Sequence, residues 1–290
     1  MHASIDLILA QGMLGLNNGV FYAMLSLGLA IIFGLLNVIN FAHGALYMVG
    51  AFVALICYSY LGAWLGLAGF HIDFWAALIV VPLVVGCFGI VIERTLLRWL
   101  YRFDPIYSLL LTFGIALVLQ GLFSNFFNMS GTPYPGQPAA LRGIVDLGFM
   151  IFPKYRLFVI VFSIVVCAGT WLFVERTRLG SYLRAAAENP DLVKAFGVNV
   201  PRMVTLTFAF GTALAGLAGV LAAPIYSVSP VVVIGGMGSI MGAIVSGLAL
   251  GLIEGVTKVV YAPASNTVIF VLMAIVLLVR PSGLFGRAGE

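Results

Sequence analysis

Charged residues are scarce in this sequence: they make up 8% of its 290 residues, while 62% are hydrophobic. A soluble domain carries about 25% charged residues, so this chain lacks the charge to cover a globular surface in water. The hydrophobicity also excludes an intrinsically disordered protein, and a count of three cysteines excludes a disulfide framework. Long unbroken apolar runs argue against an outer-membrane barrel. The remaining class is an all-α, polytopic transmembrane helical bundle.

Recognisable catalytic chemistry is also missing. The sequence contains no G-x-x-x-x-G-K-[ST] motif, which would hold the phosphates of a nucleotide. Its three histidines, His2, His43 and His71, are far apart in the chain, and no cysteine cluster adds metal ligands. We therefore expect no catalytic residue, no metal site and no cofactor in this chain.

Eight apolar runs are candidates for membrane elements, since one crossing needs about 20 residues. The first run is either one tilted span or a surface helix followed by a span, and it is too long for a removable signal peptide. In chain order the runs are 7–36, 46–67, 74–92, 106–123, 157–174, 204–223, 231–253 and 266–279. They leave no room for a soluble domain, so we expect residues 1–290 to form a single transmembrane domain.

The basic residues predict the sidedness of the loops. Ten of the 14 Lys and Arg residues lie in three segments, 93–105, 175–203 and the tail from residue 280. Because cytoplasmic loops collect Lys and Arg, we place all three segments in the cytoplasm. This distribution, and not nucleic-acid binding, accounts for the net charge of +4. The turn-rich segment 124–156 is then external, although it carries three basic residues.

The number of crossings conflicts with this sidedness. Two full crossings after the sixth run would leave the tail outside, whereas its arginines place it inside. The simplest solution is that 231–253 is a re-entrant element, which enters from outside, turns near the midplane and returns. Non-helical backbone at that depth must be shielded by protein or by a water-lined cavity. The alternative is a simple bundle of eight spans in which the N-terminal end is misassigned.

Polar residues interrupt the apolar pattern between the first two runs. Asn37, Asn40, His43 and Gly44 lie between two apolar segments. Polar side chains at membrane depth are costly, so they often mark a translocation path or a helix contact. The alternative is a short loop at the membrane interface, in which Asn40 caps the next helix.

A glycine cluster forms the second interruption, with Gly235, Gly236 and Gly238 followed by Ser239. Each glycine costs up to about 1 kcal/mol relative to Ala in a helix, so the cluster disfavours regular helix. Broken membrane segments in the two halves of a transporter point to the translocation path. These four residues are therefore candidates for facing the substrate, and the alternative is a packing hinge without a ligand.

Small residues at four-residue spacing follow the cluster. Gly247, Gly251 and Gly255 share one helix face, and such faces let helices approach closely in lipid. We interpret them as packing positions. Glu254 and Lys258 are four residues apart and are predicted to pair at a helix end.

The most polar stretch is 175–203, where two short apolar stripes indicate amphipathic helix. The second stripe ends at Phe196, and Gly197 follows as a stop signal. A short amphipathic helix at the cytoplasmic surface either lies on lipid or docks a partner. An exposed Phe196 favours docking into a groove of another protein.

Four motifs, in this order, resemble the permease subunits of high-affinity branched-chain amino-acid importers of the ABC class. The resemblance covers nearly the whole chain and is closest to the H-type inner-membrane subunit. The motifs are Asn40-Phe-Ala-His-Gly, Arg184-Ala-Ala-Ala-Glu-Asn-Pro, Val233-Ile-Gly-Gly-Met-Gly-Ser-Ile and Arg280-Pro-Ser-Gly-Leu-Phe-Gly.

The resemblance implies a multi-pass protein of the bacterial inner membrane that forms a pore with a second, related permease subunit. Two cytoplasmic ATPase subunits would bind ATP and Mg, and a periplasmic binding protein would deliver the substrate. Substrates would be branched-chain amino acids or a related small polar solute such as urea or a short amide. A stand-alone, gradient-driven transporter or channel is the alternative. The residues implied to contact the ATPase are Arg184, Ala187, Glu188, Asn189, Phe196 and Gly197.

The sequence departs from the family pattern after Ser229-Pro230. Members of the family continue with a further stretch here, whereas Pro230 meets Val231 directly in this chain. The difference is either a true deletion or a segment missing from this sequence, and we favour the second. The missing stretch would supply much of the descending half of the re-entrant element.

Overall fold

A computed structural model describes residues 2–36, 38, 40–67, 69–127, 130–230 and 240–279. Most of these residues are helical. The α-helices are α1 (His2–Leu36), α2 (Ala42–Ser59), α3 (Leu61–Trp64), α4 (Phe74–Ile92), α5 (Arg98–Leu100), α6 (Pro105–Phe126), α7 (Lys154–Arg176), α8 (Arg178–Glu188), α9 (Pro190–Ala195), α10 (Val200–Ala222), α11 (Ile240–Tyr261) and α12 (Ser265–Val279).

Seven of the described helical stretches are long and apolar enough to cross a membrane. They comprise α1, α2, α4 with its extension to Leu100, α6, α7, α10 and α11 with its extension to Ala264. The prediction of a polytopic helical bundle is therefore confirmed. The last predicted element, α12, is helical but has 15 residues, which span about 22 Å against a hydrocarbon core of about 30 Å.

The predicted boundaries of the second run were wrong. The second apolar run was placed at 46–67, but α2 ends at Ser59 and the short α3 ends at Trp64. Gly66 and Gly69 have φ values of 68° and 81°, which only glycine adopts readily, so they turn the chain before α4.

Helix α4 has the predicted bounds of the third run, Phe74–Ile92, and helical structure continues beyond it. Residues Glu93–Leu97 form a π-helical turn that continues α4, and α5 follows directly. A π turn carries one residue more than an α turn, so it shifts the face on which the following side chains lie.

The seventh predicted element is described only in part. The predicted end at Ile253 was wrong, because α11 continues without a break to Tyr261. Its 22 residues span about 33 Å. The glycine cluster 235–239 lies outside the described residues. A re-entrant turn at that cluster stays a prediction.

The chain divides into two compact units. The first unit comprises Met1–Leu27, Ala139–Trp171 and Met237–Glu290, and the second comprises Gly28–Pro138 and Leu172–Gly236. Helices α1 and α7 therefore contribute residues to both. A single domain over 1–290 stays a prediction.

Glycines let α1 and α11 pack closely in the first unit. A Cβ atom at Gly251 would overlap the backbone of Gly19, and one at Gly255 would overlap the Gln11 carbonyl oxygen. Leu248 faces Gly19 in the same contact, 3.0 Å from where a Cβ would lie. The interpretation of the four-residue glycine spacing as a packing face is confirmed.

Helix α10 forms the centre of the second unit, where it packs against α2 and α4. A Cβ at Gly50 would lie 2.6 Å from the Gly216 Cα, and one at Gly86 would lie 3.2 Å from the Ala209 carbonyl oxygen. Backbone contact of this kind needs glycine on the approaching helices. Phe208 on α10 is fully buried in this core.

The segment between α6 and α7 contains a two-stranded antiparallel sheet. Strand β1 (Ile144–Asp146) pairs with β2 (Ile151–Pro153), with Val145 opposite Phe152. Phe152 is fully buried, whereas Ile144 and Ile151 are exposed on the other face. Helix α6 is the least enclosed membrane-type helix: 17% of its apolar window is buried within the chain.

Candidate functional site

The first predicted polar site lies where α1 ends and α2 begins. Asn40 and His43 are each 3% exposed, and Gly44 is buried in the first turn of α2. Neither amide atom of Asn40 has a hydrogen-bond partner among the described residues. Asn37 lies outside the described residues.

Asn40 does not cap α2, so the capping part of the alternative was wrong. The N-cap residue is Phe41, and no side chain caps the helix. The Phe41 N–H donates instead to the Thr112 hydroxyl oxygen of α6, at 3.1 Å. The buried Asn40 side-chain amide therefore has no role in capping α2.

The imidazole of His43 lies at a close contact between α1 and α10. A Cβ at Gly28 would be 2.8 Å from both the His43 Cε1 and the Gly211 carbonyl oxygen. Because Gly28 and Gly211 have no side chains, both the His43 ring and the α10 backbone can approach α1 closely here. His43 is placed as a helix-contact residue at the edge of the Asn40 site.

The second predicted polar site, Gly235, Gly236, Gly238 and Ser239, lies outside the described residues. Its role in facing the substrate stays a prediction.

The predicted amphipathic segment 175–203 contains two short helices, α8 and α9. Local sequence signals explain both. Thr177 caps α8 by accepting from the Gly180 N–H at 3.2 Å, and Asn189 caps α9 by accepting from the Leu192 N–H at 3.0 Å. Asn199 caps α10 in the same way, by accepting from the Arg202 N–H at 3.1 Å.

The surface of α9 combines one buried apolar side chain with two exposed ones. Val193 is buried, whereas Leu192 is 55% exposed and Phe196 is 79% exposed. Gly197 ends the helix with a φ of 81°, where a residue with a Cβ would be strained. Ala187, Glu188 and Asn189 are also exposed. In the described part of the chain, the apolar side chains of Leu192 and Phe196 are therefore left exposed.

Arg184 has partners within its own chain. Its guanidinium donates to the Val174 carbonyl oxygen and, at 3.3 Å, to the Glu175 carbonyl oxygen, and it pairs with the Glu175 carboxylate at 3.4 Å. These are the last carbonyl groups of α7, which have no partner inside the helix. Arg184 therefore fixes the corner between α7 and α8, where a Cβ on Gly180 would overlap the Val174 carbonyl.

Sequence reasoning missed Glu93, which is 1% exposed in the π turn after α4. Its carboxylate accepts from the Thr205 hydroxyl of α10 at 2.7 Å and from the Tyr101 hydroxyl at 3.3 Å. Burial and the Glu93 carboxylate raise the pKa of Tyr101, so this hydroxyl keeps its proton and can donate. An acidic residue that directly follows a long apolar run was the available signal.

The predicted pair of Glu254 and Lys258 is confirmed, with 2.6 Å between the Lys258 Nζ and the Glu254 Oε1. Lys258 lies in the last turn of α11, as predicted for a helix end, whereas Glu254 lies one turn earlier and is 3% exposed. The carboxylate also accepts from the Asn18 amide at 3.1 Å and from the Tyr22 hydroxyl at 2.9 Å. Three donors therefore surround this buried anion within the first unit.

A cavity of about 170 Å³ lies between α1, α7 and α11 in the first unit. Its lining is Val20, Ala23, Ser163, Ile164, Cys167, Ala168, Trp171, Ile244 and Leu248. An amino acid would bring a buried ammonium and a carboxylate, which need charged or hydrogen-bonding partners. Since this lining contains no charged side chain, we do not assign the cavity as a substrate site.

The family model and the relatives that match nearly the whole chain point to the same family. The family described as the permease component of the branched-chain amino acid transport system matches residues 13–279. The chain is 33% identical to the high-affinity branched-chain amino acid transport system permease protein BraD of Pseudomonas aeruginosa, over 94% of each chain. It is 29% identical to the permease protein LivH of the same kind of system in Escherichia coli K12, again over 94% of each. No solved structure matches the chain.

Proposed function

Because the chain belongs to the family of branched-chain amino acid transport permeases, we propose that it is a membrane subunit of an ATP-driven importer. The substrate is a branched-chain amino acid or a related small polar solute. The relatives are named as permease proteins of high-affinity branched-chain amino acid transport systems, which supports this substrate class. The protein is a multi-pass membrane protein, and the proposal places it in the bacterial inner membrane.

The proposed assembly contains four kinds of subunit. This chain and a second permease subunit line the path, two cytoplasmic ATPase subunits bind and hydrolyse ATP with Mg, and a periplasmic binding protein delivers the solute. The sequence of this chain has no motif for holding nucleotide phosphates, which supports ATP hydrolysis by such partners.

The ATPase contact is proposed to be the segment 175–203. The observation that supports it is the 79% exposure of Phe196, at the end of a helix capped by Asn189 and stopped by Gly197. An apolar side chain on a short helix docks well into a groove of a partner. Arg184 would act indirectly, by fixing the corner from which α8 and α9 project.

The substrate-facing residues are proposed to be Asn40 and its neighbours at the break between α1 and α2. Asn40 is buried and has no hydrogen-bond partner in the described part of the chain. A buried amide without a partner is costly, and a polar solute passing the site would satisfy it.

The test is an ATPase and uptake assay of the assembled complex in liposomes. Substrate-loaded binding protein should stimulate ATP hydrolysis and drive uptake. Phe196→Asp should uncouple hydrolysis from uptake, since a charge cannot enter an apolar groove. Ile144→Asp is the control. Ile144 is also an exposed apolar side chain (61%), but it lies outside the segment 175–203.

Several outcomes would contradict parts of the proposal. Uptake by the purified chain without ATP would indicate a stand-alone transporter or channel. Stimulation by a urea-loaded or amide-loaded binding protein, but not by an amino-acid-loaded one, would change the substrate class. Normal coupling in Phe196→Asp would remove the assignment of the ATPase contact.

A further inference from the structure

A buried carboxylate links the ends of two helices in the second unit. Glu93 lies at the end of α4, and its carboxylate accepts from the Thr205 hydroxyl at 2.7 Å, across 112 residues of sequence. Both residues are at most 5% exposed. None of the ion pairs formed by the described residues includes Glu93, so hydroxyl groups are its donors. A hydrogen bond to a buried charged group is among the stronger ones in a protein.

Thr205 lies close to the segment proposed to contact the ATPase. Between α9 and α10 the chain is short and hydrogen-bonded: the Gly197 N–H donates to the Lys194 carbonyl at 2.9 Å and the Val200 N–H to the Val198 carbonyl at 3.0 Å. Thr205 follows in the second turn of α10. A displacement of α9 is therefore passed to α10 within a few residues.

The backbone at Glu93 supports a specialised role. The Arg98 N–H donates to the Glu93 carbonyl oxygen, five residues back, which is the hydrogen bond of a π turn. Such turns are rare and occur frequently at functional sites. Glu93 thus holds the irregular turn through its carbonyl group and α10 through its carboxylate.

We propose that Glu93 is a positioning residue for energy coupling: it fixes the end of α4 to α10, so that both helices move when a partner displaces α9. This inference rests on the proposed function for its context. Without the hydrogen bond, α10 still follows α9 and stays packed on α4 at Gly86 and Gly89, but the end of α4 at the π turn does not follow α10 faithfully. Hydrolysis then continues while less solute moves per ATP.

The first test compares two threonine variants of the assembled complex in liposomes. Thr205→Val removes the donor and keeps the shape of the side chain, and the amount of solute moved per ATP should fall about tenfold, as expected for loss of a hydrogen bond to a charged group. Thr205→Ser keeps the hydroxyl and should restore coupling. Thr95→Val is the matched control, because Thr95 lies two residues from Glu93 and its hydroxyl donates to the Val91 carbonyl in its own helix.

The second test does not depend on transport. Spin labels at Leu96 and Lys194, both exposed, report the distance between the π turn and α9 in the full-length chain in detergent, with the exposed Cys87 replaced by Ala. Thr205→Val should broaden the distance distribution, whereas Thr95→Val should leave it unchanged.

The two tests separate the two proposals. If the unsubstituted complex shows no stimulation by binding protein, the proposed function fails, and the distance measurement still decides the role of Glu93. Equal distributions in Thr205→Val and Thr95→Val would overturn the inference. Equal coupling in these two variants of a working complex would also overturn it.

Discussion

Each compact unit buries one glutamate beside a glycine-lined helix contact, and the two carboxylates have different partners. Glu254 lies on α11 in the first unit, within 2.6 Å of the Lys258 ammonium group, and it also accepts from Asn18 and Tyr22. Glu93 lies after α4 in the second unit and accepts from the hydroxyls of Thr205 and Tyr101. Among the described residues, the carboxylate in the first unit has an ion-pair partner, whereas the one in the second unit has hydroxyl donors only.

This difference indicates what each acid contributes. An ion pair with a buried partner is sensitive to the loss of either member, because the remaining charge is left without compensation. A carboxylate held by neutral donors can be replaced by an amide with a smaller change in stability, since an acceptor oxygen remains. We therefore expect charge removal to affect folding in the first unit and coupling in the second.

The largest expected effect comes from the glycine contact of the first unit. Gly251→Ala should destabilise the protein by about 3 kcal/mol, the upper end of the usual range for overpacking, because the new Cβ overlaps the Gly19 backbone. Gly89→Ala in the second unit should cost less, since its Cβ meets the Thr212 side chain. Thermal unfolding in detergent measures both.

Gly12→Ala on α1 is the control for this comparison, because no atom beyond its own helix backbone and its two chain neighbours lies within 4 Å of its Cβ position. It should raise helix stability by up to about 1 kcal/mol. A Gly251→Ala protein as stable as Gly12→Ala would refute the close approach of α1 and α11.

The ion pair of the first unit gives the next largest effect. Lys258→Met should cost about 1–3 kcal/mol, between the values for exposed and buried pairs, since Lys258 is 34% exposed and Glu254 is 4% exposed. The double variant Glu254→Gln, Lys258→Met should recover much of this loss, because no uncompensated charge remains. A double variant less stable than Lys258→Met would show that the carboxylate acts through its other donors.

The same substitution in both units sharpens the comparison directly. Glu93→Gln should change the free energy of unfolding by less than about 1 kcal/mol, because one amide oxygen still accepts. Glu254→Gln should change it more, since it leaves the Lys258 ammonium without its counter-charge. Denaturant or thermal unfolding of the two variants side by side checks the order, and the reverse order would contradict it.

The last comparison concerns two buried amides, for which the expected effect is also small. Asn17 in the first unit is 1% exposed, and like Asn40 its amide has no hydrogen-bond partner within the described residues. Replacing either by Leu should stabilise the fold by about 1 kcal/mol, the typical cost of an unsatisfied buried group. Asn40→Leu alone should also lower solute uptake. Equal uptake in both variants would remove Asn40 from the translocation path.

Local periodicity and spacing predicted the parts of this fold that depend on neighbouring residues. The apolar runs predicted the long helices, and the spacing of Gly247, Gly251 and Gly255 predicted a packing face. The four-residue spacing of Glu254 and Lys258 predicted their contact. In each case one helix carries all the residues in the pattern.

Contacts between distant helices could not be predicted in this way. Asn18 and Tyr22 reach Glu254 across 236 and 232 residues, and nothing in one sequence marks them as its donors. Glu93 was overlooked because an acid among arginines at the end of an apolar run resembles an interfacial charge. Its donor Thr205 lies 112 residues away in the sequence, so spacing could not indicate their contact.

The small buried fraction of α6 has a consequence for how the sequence can change over time. With 17% of its apolar window enclosed by the chain, most of its side chains are free to vary without disturbing the fold of this subunit. Lipid tails accept nearly any apolar side chain, so they impose little selection on identity. Any exposed position of α6 that evolution has held fixed among relatives would therefore record a neighbouring protein, and a comparison of homologous sequences along the exposed face of this helix would map that neighbour's footprint.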